Sequence, residues 1–194
     1  MPPKVRFQQE IIVDAAFELA KTNGLDAINA RSVAGEIGCS TQPIFRVFEN
    51  MDQLKKRVME KAVQHFDTYI AKTQNSSESS FKSVGMAYLL FAMNEPHLFQ
   101  MVFLRCCKSS AAREKYRCST YVIETLVDKA GFNTEQAKII QRHMWIYTYG
   151  LAALLMTGQL RYEKEELSDM LDMEYRAIVS GLLWEKSCQI NPPA

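Results

Sequence analysis

Apolar residues return every three or four positions through most of this chain, the period of a helix packed on one side. Ile12, Ala16, Leu19 and Ala20 make such a stripe over a helix from about Phe7 to Asn23, and Leu25 and Ile28 continue the small core beside it. Val33, Ala34 and Ile37 then share one face of a short helix. Asn29 is its natural N-cap, because its side-chain oxygen can accept from the free amides of the first turn. Gly38 stops it where a left-handed residue ends a helix cheaply. Ile44, Val47 and Phe48 carry the apolar face of a second short helix. Ser40 is placed to cap that helix, with Pro43 in its first turn, where a missing amide removes no internal hydrogen bond.

Two short helices joined by a tight turn containing Gly form a helix-turn-helix, whose second helix offers its N-terminal side chains to the major groove. An ordinary helical corner has the same spacing, so the flanking residues decide. From Ile12 to Leu54 the chain resembles, without gaps, the N-terminal domain of the tetracycline-repressor (TetR/AcrR) family of transcriptional regulators. The resemblance rests on Asp14-Ala15-Ala16, Gly24, Arg31, Ala34 and Gly38 with Ser40, then on Phe45 in the usual tyrosine place, Phe48 and Leu54. It implies that Arg31, Ser40, Thr41, Gln42, Pro43, Phe45, Arg46 and Lys55 meet DNA. Thr41, Gln42, Phe45 and Arg46 would face the major groove, with Gln42 and Arg46 the polar candidates for base edges, since Gln pairs with adenine and Arg with guanine in bidentate geometry. Two positions depart from the family. Val47 stands where His or Tyr is usual and Met51 where Lys is usual, and both usual residues touch phosphate. Lys55, Lys56 and Arg57, one turn further on, either replace that charge or form a solvated helix face.

A fourth helix is expected over 51–72, with Asp52 in its first turn and Leu54, Val58, Ala62 and Phe66 on one side. Gln74 to Ser80, QNSSESS, breaks it. Beyond that loop nothing alternates as a strand would. Helices are expected at about 80–94, 96–104, 110–130, 134–157 and 164–187, with Gly131 and Gly158 as stops and Thr134 as a cap. The fold class is therefore all-α. An N-terminal three-helix, helix-turn-helix DNA-binding domain (1–50) is linked by helix 51–72 to a helical-bundle ligand-binding and dimerisation domain (73–194). In that second part, Glu95 to Phe103 and Trp145 to Gly150 resemble the regulatory domain of a TetR subgroup with a Trp-x-x-x-His-Gly signature, Tyr149 replacing the histidine.

Composition adjusts this reading at a few points. With 194 residues, 47% of them hydrophobic, the chain can bury a sizeable core. A net charge of +1 is not the basic footprint of many nucleic-acid binders. Up to residue 50, Lys4, Arg6, Lys21, Arg31 and Arg46 are matched by Glu10, Asp14, Glu18, Asp26, Glu36 and Glu49. A helix N-terminus and a few placed cations can still hold phosphate, so the motif outweighs the balance. No apolar run approaches a membrane span and the start lacks an apolar signal core, which predicts a cytoplasmic protein with no membrane partner. Five cysteines without CxxC spacing fit a reducing compartment.

The aromatic and methionine residues of the middle helices suit either core packing or the lining of an adaptable apolar cavity. The family resemblance implies an effector pocket for a small, largely apolar molecule, with Phe66, Met86, Leu90, Phe103, Cys107, Tyr121 and Tyr147 as its candidate residues. The last two helices are apolar on more than one side and must be covered on both. The resemblance implies a four-helix bundle with a twofold mate, with Trp145, Leu155, Met170, Ala177, Ile178, Gly181 and Trp184 at the homodimer interface, on a double-stranded operator of matching symmetry. Gly150 and Gly181 would allow close crossing. The rival reading is a helical enzyme, or a thiol or metal sensor using Cys106 and Cys107 with Cys118, His97 and His143 nearby. No Ser-His-Asp order, Gly-rich phosphate loop or HExxH occurs, so no catalytic residue, metal ligand or cofactor is expected.

Overall fold

The computed structural model describes residues 8–73, 80–105 and 120–190, without the side chains of 73, 80, 81, 105, 120, 121 and 184–190. Every regular element among them is helical. The order is α1 (Gln9–Asn23), a 3-10 turn (Leu25–Ala27), α2 (Ala30–Glu36), α3 (Gln42–Val47), α4 (Met51–Thr73), α5 (Ser80–Asn94), α6 (Pro96–Phe99), a π-helical turn (Gln100–Arg105), α7 (Thr120–Ala130), α8 (Thr134–Met156) and α9 (Lys164–Ile190). The all-α expectation holds. The described residues fall into two compact units: one runs through Thr68 and takes in the segment from Glu95, and the other comprises Tyr69–Asn94 and the helices from Thr120 onward.

In the first unit α1 buries Ile12, Val13, Ala16, Phe17 and Ala20. Leu19 and Leu25, expected in this core, are only half-buried, because the inward stripe runs through positions 12, 13, 16, 17 and 20 and leaves 19 at its edge. Leu54, Val58, Ala62 and Phe66 are fully enclosed, as their four-residue spacing on α4 predicted. The Phe66 ring meets that of Phe103 edge-on, with centroids 4.9 Å apart, and Phe103 lies 4.9 Å from Phe99. Burying aromatics of this size contributes about 1.5 to 3 kcal/mol each. Polar contacts fasten the start of α6. Glu95 Oε1 accepts from Lys21 Nζ on α1 at 3.2 Å and lies 3.4 Å from His65 Nε2 on α4.

In the second unit α5 packs along α8 and α9, and α7 packs on α5 and α8. Leu89, Phe91, Ala92, Ile140, Leu167 and Leu171 form its core. A Cβ at Gly85 would lie 3.1 Å from Leu171 Cδ1, so glycine sets how closely α5 approaches α9. Lys82 and Asp172 pair across the same two helices at 2.6 Å. The cap of α8 differs from expectation. Asn133, not Thr134, holds the helix start: its side chain accepts from the Gln136 amide at 2.9 Å, and the Gln136 side chain accepts from the Asn133 amide at 3.2 Å. Gly158, at φ +71°, closes the other end by donating to Leu155 O.

Candidate nucleic-acid interface

The helix-turn-helix is fixed at three points. Asn29 Oδ1 accepts from the amides of Arg31 (3.1 Å) and Ser32 (3.0 Å). Ser32 Oγ accepts from the Asn29 amide and donates to Ala27 O at 2.6 Å, tying α2 to the turn before it. At the far end of α2, Gly38 (φ +67°) donates to Gly35 O at 3.2 Å and Cys39 to Ala34 O at 2.9 Å. This paired closure needs a left-handed residue, which glycine adopts without Cβ strain. Beneath the motif Val33, Ala34, Ile44 and Phe48 are buried and set the angle between α2 and α3.

One local expectation is corrected. Ser40 does not cap α3: the helix begins at Gln42, and its flanking residue Thr41 already has helical angles and makes no side-chain cap. Pro43 does occupy the first turn. It keeps φ helical at no hydrogen-bond cost, so the helix starts without a cap.

With Ile44 and Phe48 turned inward, α3 leaves Gln42, Phe45 and Arg46 exposed, and Thr41, Pro43 and Val47 are half-buried. Ser40 and Arg31 are also exposed. Arg31, Arg46, Lys55 and Lys56 make no ion pair among the described residues, whereas Arg57 is held by Glu60 at 2.6 Å. Of the three cations on α4 that could substitute for a lysine at Met51, Lys55 and Lys56 are therefore available. The start of α4 is built by Asn50, whose side chain accepts from the Gln53 amide at 2.9 Å, and by Gln53, whose side chain accepts from the Glu49 amide at 2.8 Å.

A different surface is found on α8 and α9. Ile146, Gly150 and Leu154 are exposed at four-residue intervals on α8, and Met173, Ala177 and Gly181 repeat that spacing on α9. Ile146 is 57% and Met173 67% exposed, and Leu183 joins them. A Cβ at Gly150 or Gly181 would meet open space.

Set beside known proteins, residues 81–178, just over half of the chain, match the family model described as the tetracyclin repressor-like C-terminal domain. The chain belongs to the TetR family. An uncharacterized HTH-type transcriptional regulator of Bacillus subtilis, YobS, is 20% identical over 94% of this chain and 96% of its own. A TetR-like transcriptional regulator from Rhodococcus sp. RHA1 superposes with a TM-score of 0.65 at 14% identity, covering 93% of this chain and 99% of that one. The multidrug binding protein EbrR, solved with imidazole, superposes with a TM-score of 0.58 at 14% identity over 87% and 94% of the two chains.

Within this TetR-family chain the other expected site residues that are described belong to both units. Phe66 and Phe103 pack on each other in the first unit, and Met86, Leu90 and Tyr147 lie in the second. Met86 is buried, whereas Leu90 and Tyr147 are half-exposed. Burial, and then the charges of Glu174 and Tyr162, raise the Tyr147 phenol above its ordinary range. Of the expected interface residues, Leu155 is buried, Trp145, Met170 and Ile178 are half-buried, and Ala177 and Gly181 are exposed. The Trp145 ring lies 5.4 Å from that of Tyr149, the residue in the histidine place. Cys106, Cys107 and Cys118 lie outside the described residues, as do the side chains of Tyr121 and Trp184. Among the described residues no group of His, Cys, Asp and Glu could hold a metal, and no helix is long and apolar enough to cross a membrane.

The Lys21, His65 and Glu95 cluster joins residues far apart in the chain, so no local pattern marks it. Met173 and Leu183 are exposed, although their hydropathy is no different from that of core residues.

Proposed function

We propose that this protein is a cytoplasmic repressor. It binds a palindromic operator as a homodimer and leaves it when a small, largely apolar molecule occupies its C-terminal domain. The observation that carries the reading is the outer face of α3: Gln42, Phe45 and Arg46 exposed over the buried Ile44 and Phe48, with Arg31, Lys55 and Lys56 on α2 and α4 making no ion pair among the described residues. This combination of base-reading side chains and free cations suits a major groove and its phosphates. Residues 1–50 serve as the DNA-binding domain, helix 51–72 as the link, and 73–194 as the effector and dimerisation domain. The exposed stripes of α8 and α9 supply the twofold contact, so that two α3 helices stand about 34 to 36 Å apart, one turn of DNA.

The effector role is supported by the fold shared with a multidrug binding protein and by Met86, Leu90 and Tyr147 in the second unit. Coupling runs through α4, which follows α3 directly and whose residues are shared by the two units after Thr68. A ligand acts only by preferring the DNA-incompetent state, and typical couplings of about 1 to 3 kcal/mol weaken DNA binding roughly 5- to 150-fold.

A gel shift on the DNA flanking the protein's own gene tests the reading. A retarded band that survives excess unrelated duplex supports it, and equal competition by unrelated duplex contradicts it. Once an inducer is found, calorimetry with and without operator must show the same factor in both directions.

A further inference from the structure

Phe45 is left largely outside the core. Its neighbours Ile44 and Phe48 are 0% and 2% exposed and complete the core under α3, while Phe45 is 52% exposed, beside the exposed Gln42 and Arg46. A helix that already has its apolar face covered gains nothing in stability from a phenyl ring in water. The ring also carries no hydrogen-bond donor, so it cannot hold a phosphate oxygen. The partner of this face must therefore present something apolar at the depth reached by Gln42 and Arg46. In the major groove that group is the C5-methyl of thymine.

Resting on the DNA-binding reading above, we infer that Phe45 is a specificity-determining residue that reads one thymine methyl in each operator half-site, placed between the bases contacted by Gln42 and Arg46. The three exposed side chains then divide the work by chemistry. An amide suits adenine, a guanidinium suits guanine, and the ring selects thymine over cytosine, which lacks the methyl group.

The test uses the full-length protein and a synthetic duplex enriched by it from a random-sequence library. In sister duplexes each half-site thymine is replaced singly by deoxyuridine, which removes only the methyl group. With the unaltered protein, one position per half-site should lose about fourfold in affinity, the scale of one buried methyl group. With Phe45→Ala that position should become indifferent to the replacement, while Phe45→Tyr, which keeps the ring, should retain the loss. Because Phe45 lies outside the core, thermal unfolding of both variants should match the parent, so a folding defect is recognisable. The inference is overturned if no thymine is sensitive, or if the sensitivity survives in Phe45→Ala. If the library yields no enriched duplex at all, the DNA-binding reading itself fails.

Discussion

The outer face of α3 and the outer stripes of α8 and α9 are both left uncovered by the chain's own core, but their chemistry is opposite. On α3 the exposed residues are an amide, a guanidinium and one ring, and cations on the helices before and after it make no ion pair among the described residues. On the stripes of α8 and α9 they are Ile146, Leu154 and Met173, with Gly150, Ala177 and Gly181 at the same four-residue spacing. Water solvates the first surface well, so its partner must repay lost hydration with directed hydrogen bonds and charge. The second surface is driven toward any apolar match, and a second copy of the same stripe supplies one. In the proposed function the first surface would specify a sequence, and the second would fix the spacing at which two such surfaces are presented.

The largest expected effect comes from breaking the apolar side. Gly150→Arg with Gly181→Arg places two charged side chains where the single chain has open space, so the fold should persist. The variant should sediment as a monomer with unchanged circular dichroism. Losing the linkage between half-sites should lower operator affinity about a hundredfold or more. A variant that remains dimeric would move the interface elsewhere.

On the polar side, Asn29→Ala removes the oxygen that holds the amides of Arg31 and Ser32. A loss of about 1 kcal/mol in unfolding free energy is expected, with Asn29→Asp restoring most of it. Denaturant titration checks this, and an Asp variant as weak as the Ala variant would refute the capping role.

Neutralising the free cations sharpens the contrast further. Lys55→Gln or Lys56→Gln should weaken binding to all duplexes alike and reduce the salt slope by about one unit for each phosphate no longer neutralised. Arg57→Gln should do so least, because Glu60 already pairs with Arg57. Slopes unchanged in all three would make these residues a solvated helix face.

The smallest effect concerns Tyr147. Burial first, and then Glu174 and Tyr162, make its phenol harder to ionise than usual. The folded state therefore keeps that proton after the unfolded chain has released it, and stability falls as pH climbs past the ordinary phenol value of about 10. Tyr147→Phe should flatten that fall in alkaline unfolding curves, and an equally steep fall would remove Tyr147 as its source.

Much of this architecture was legible in the chain because it is written locally. Asn29, Gly38 and Pro43 each do a job defined within a few residues, and Leu54, Val58, Ala62 and Phe66 repeat at the helical period. The misreadings are equally physical. Ser40 and Thr134 have capping chemistry, but α3 starts after a Thr41 already in helical conformation, and Asn133, one residue earlier than expected, reaches the Gln136 amide. The contacts of Glu95 with Lys21 and His65 depend on packing that no spacing announces. Hydropathy likewise marks Ile140 and Ile146 alike, although only Ile140 finds a cover within the chain.

In the proposed function α3 reads bases and does not simply rest on phosphate. Fluorescence anisotropy of Gln42→Ala on the enriched duplex and on a scrambled duplex of equal length, at one fixed salt concentration, tests it most directly. A loss of about 1 to 3 kcal/mol is expected on the enriched duplex, roughly 5- to 150-fold, with binding to the scrambled duplex unchanged. An equal loss on both duplexes would contradict it and reassign Gln42 to the backbone.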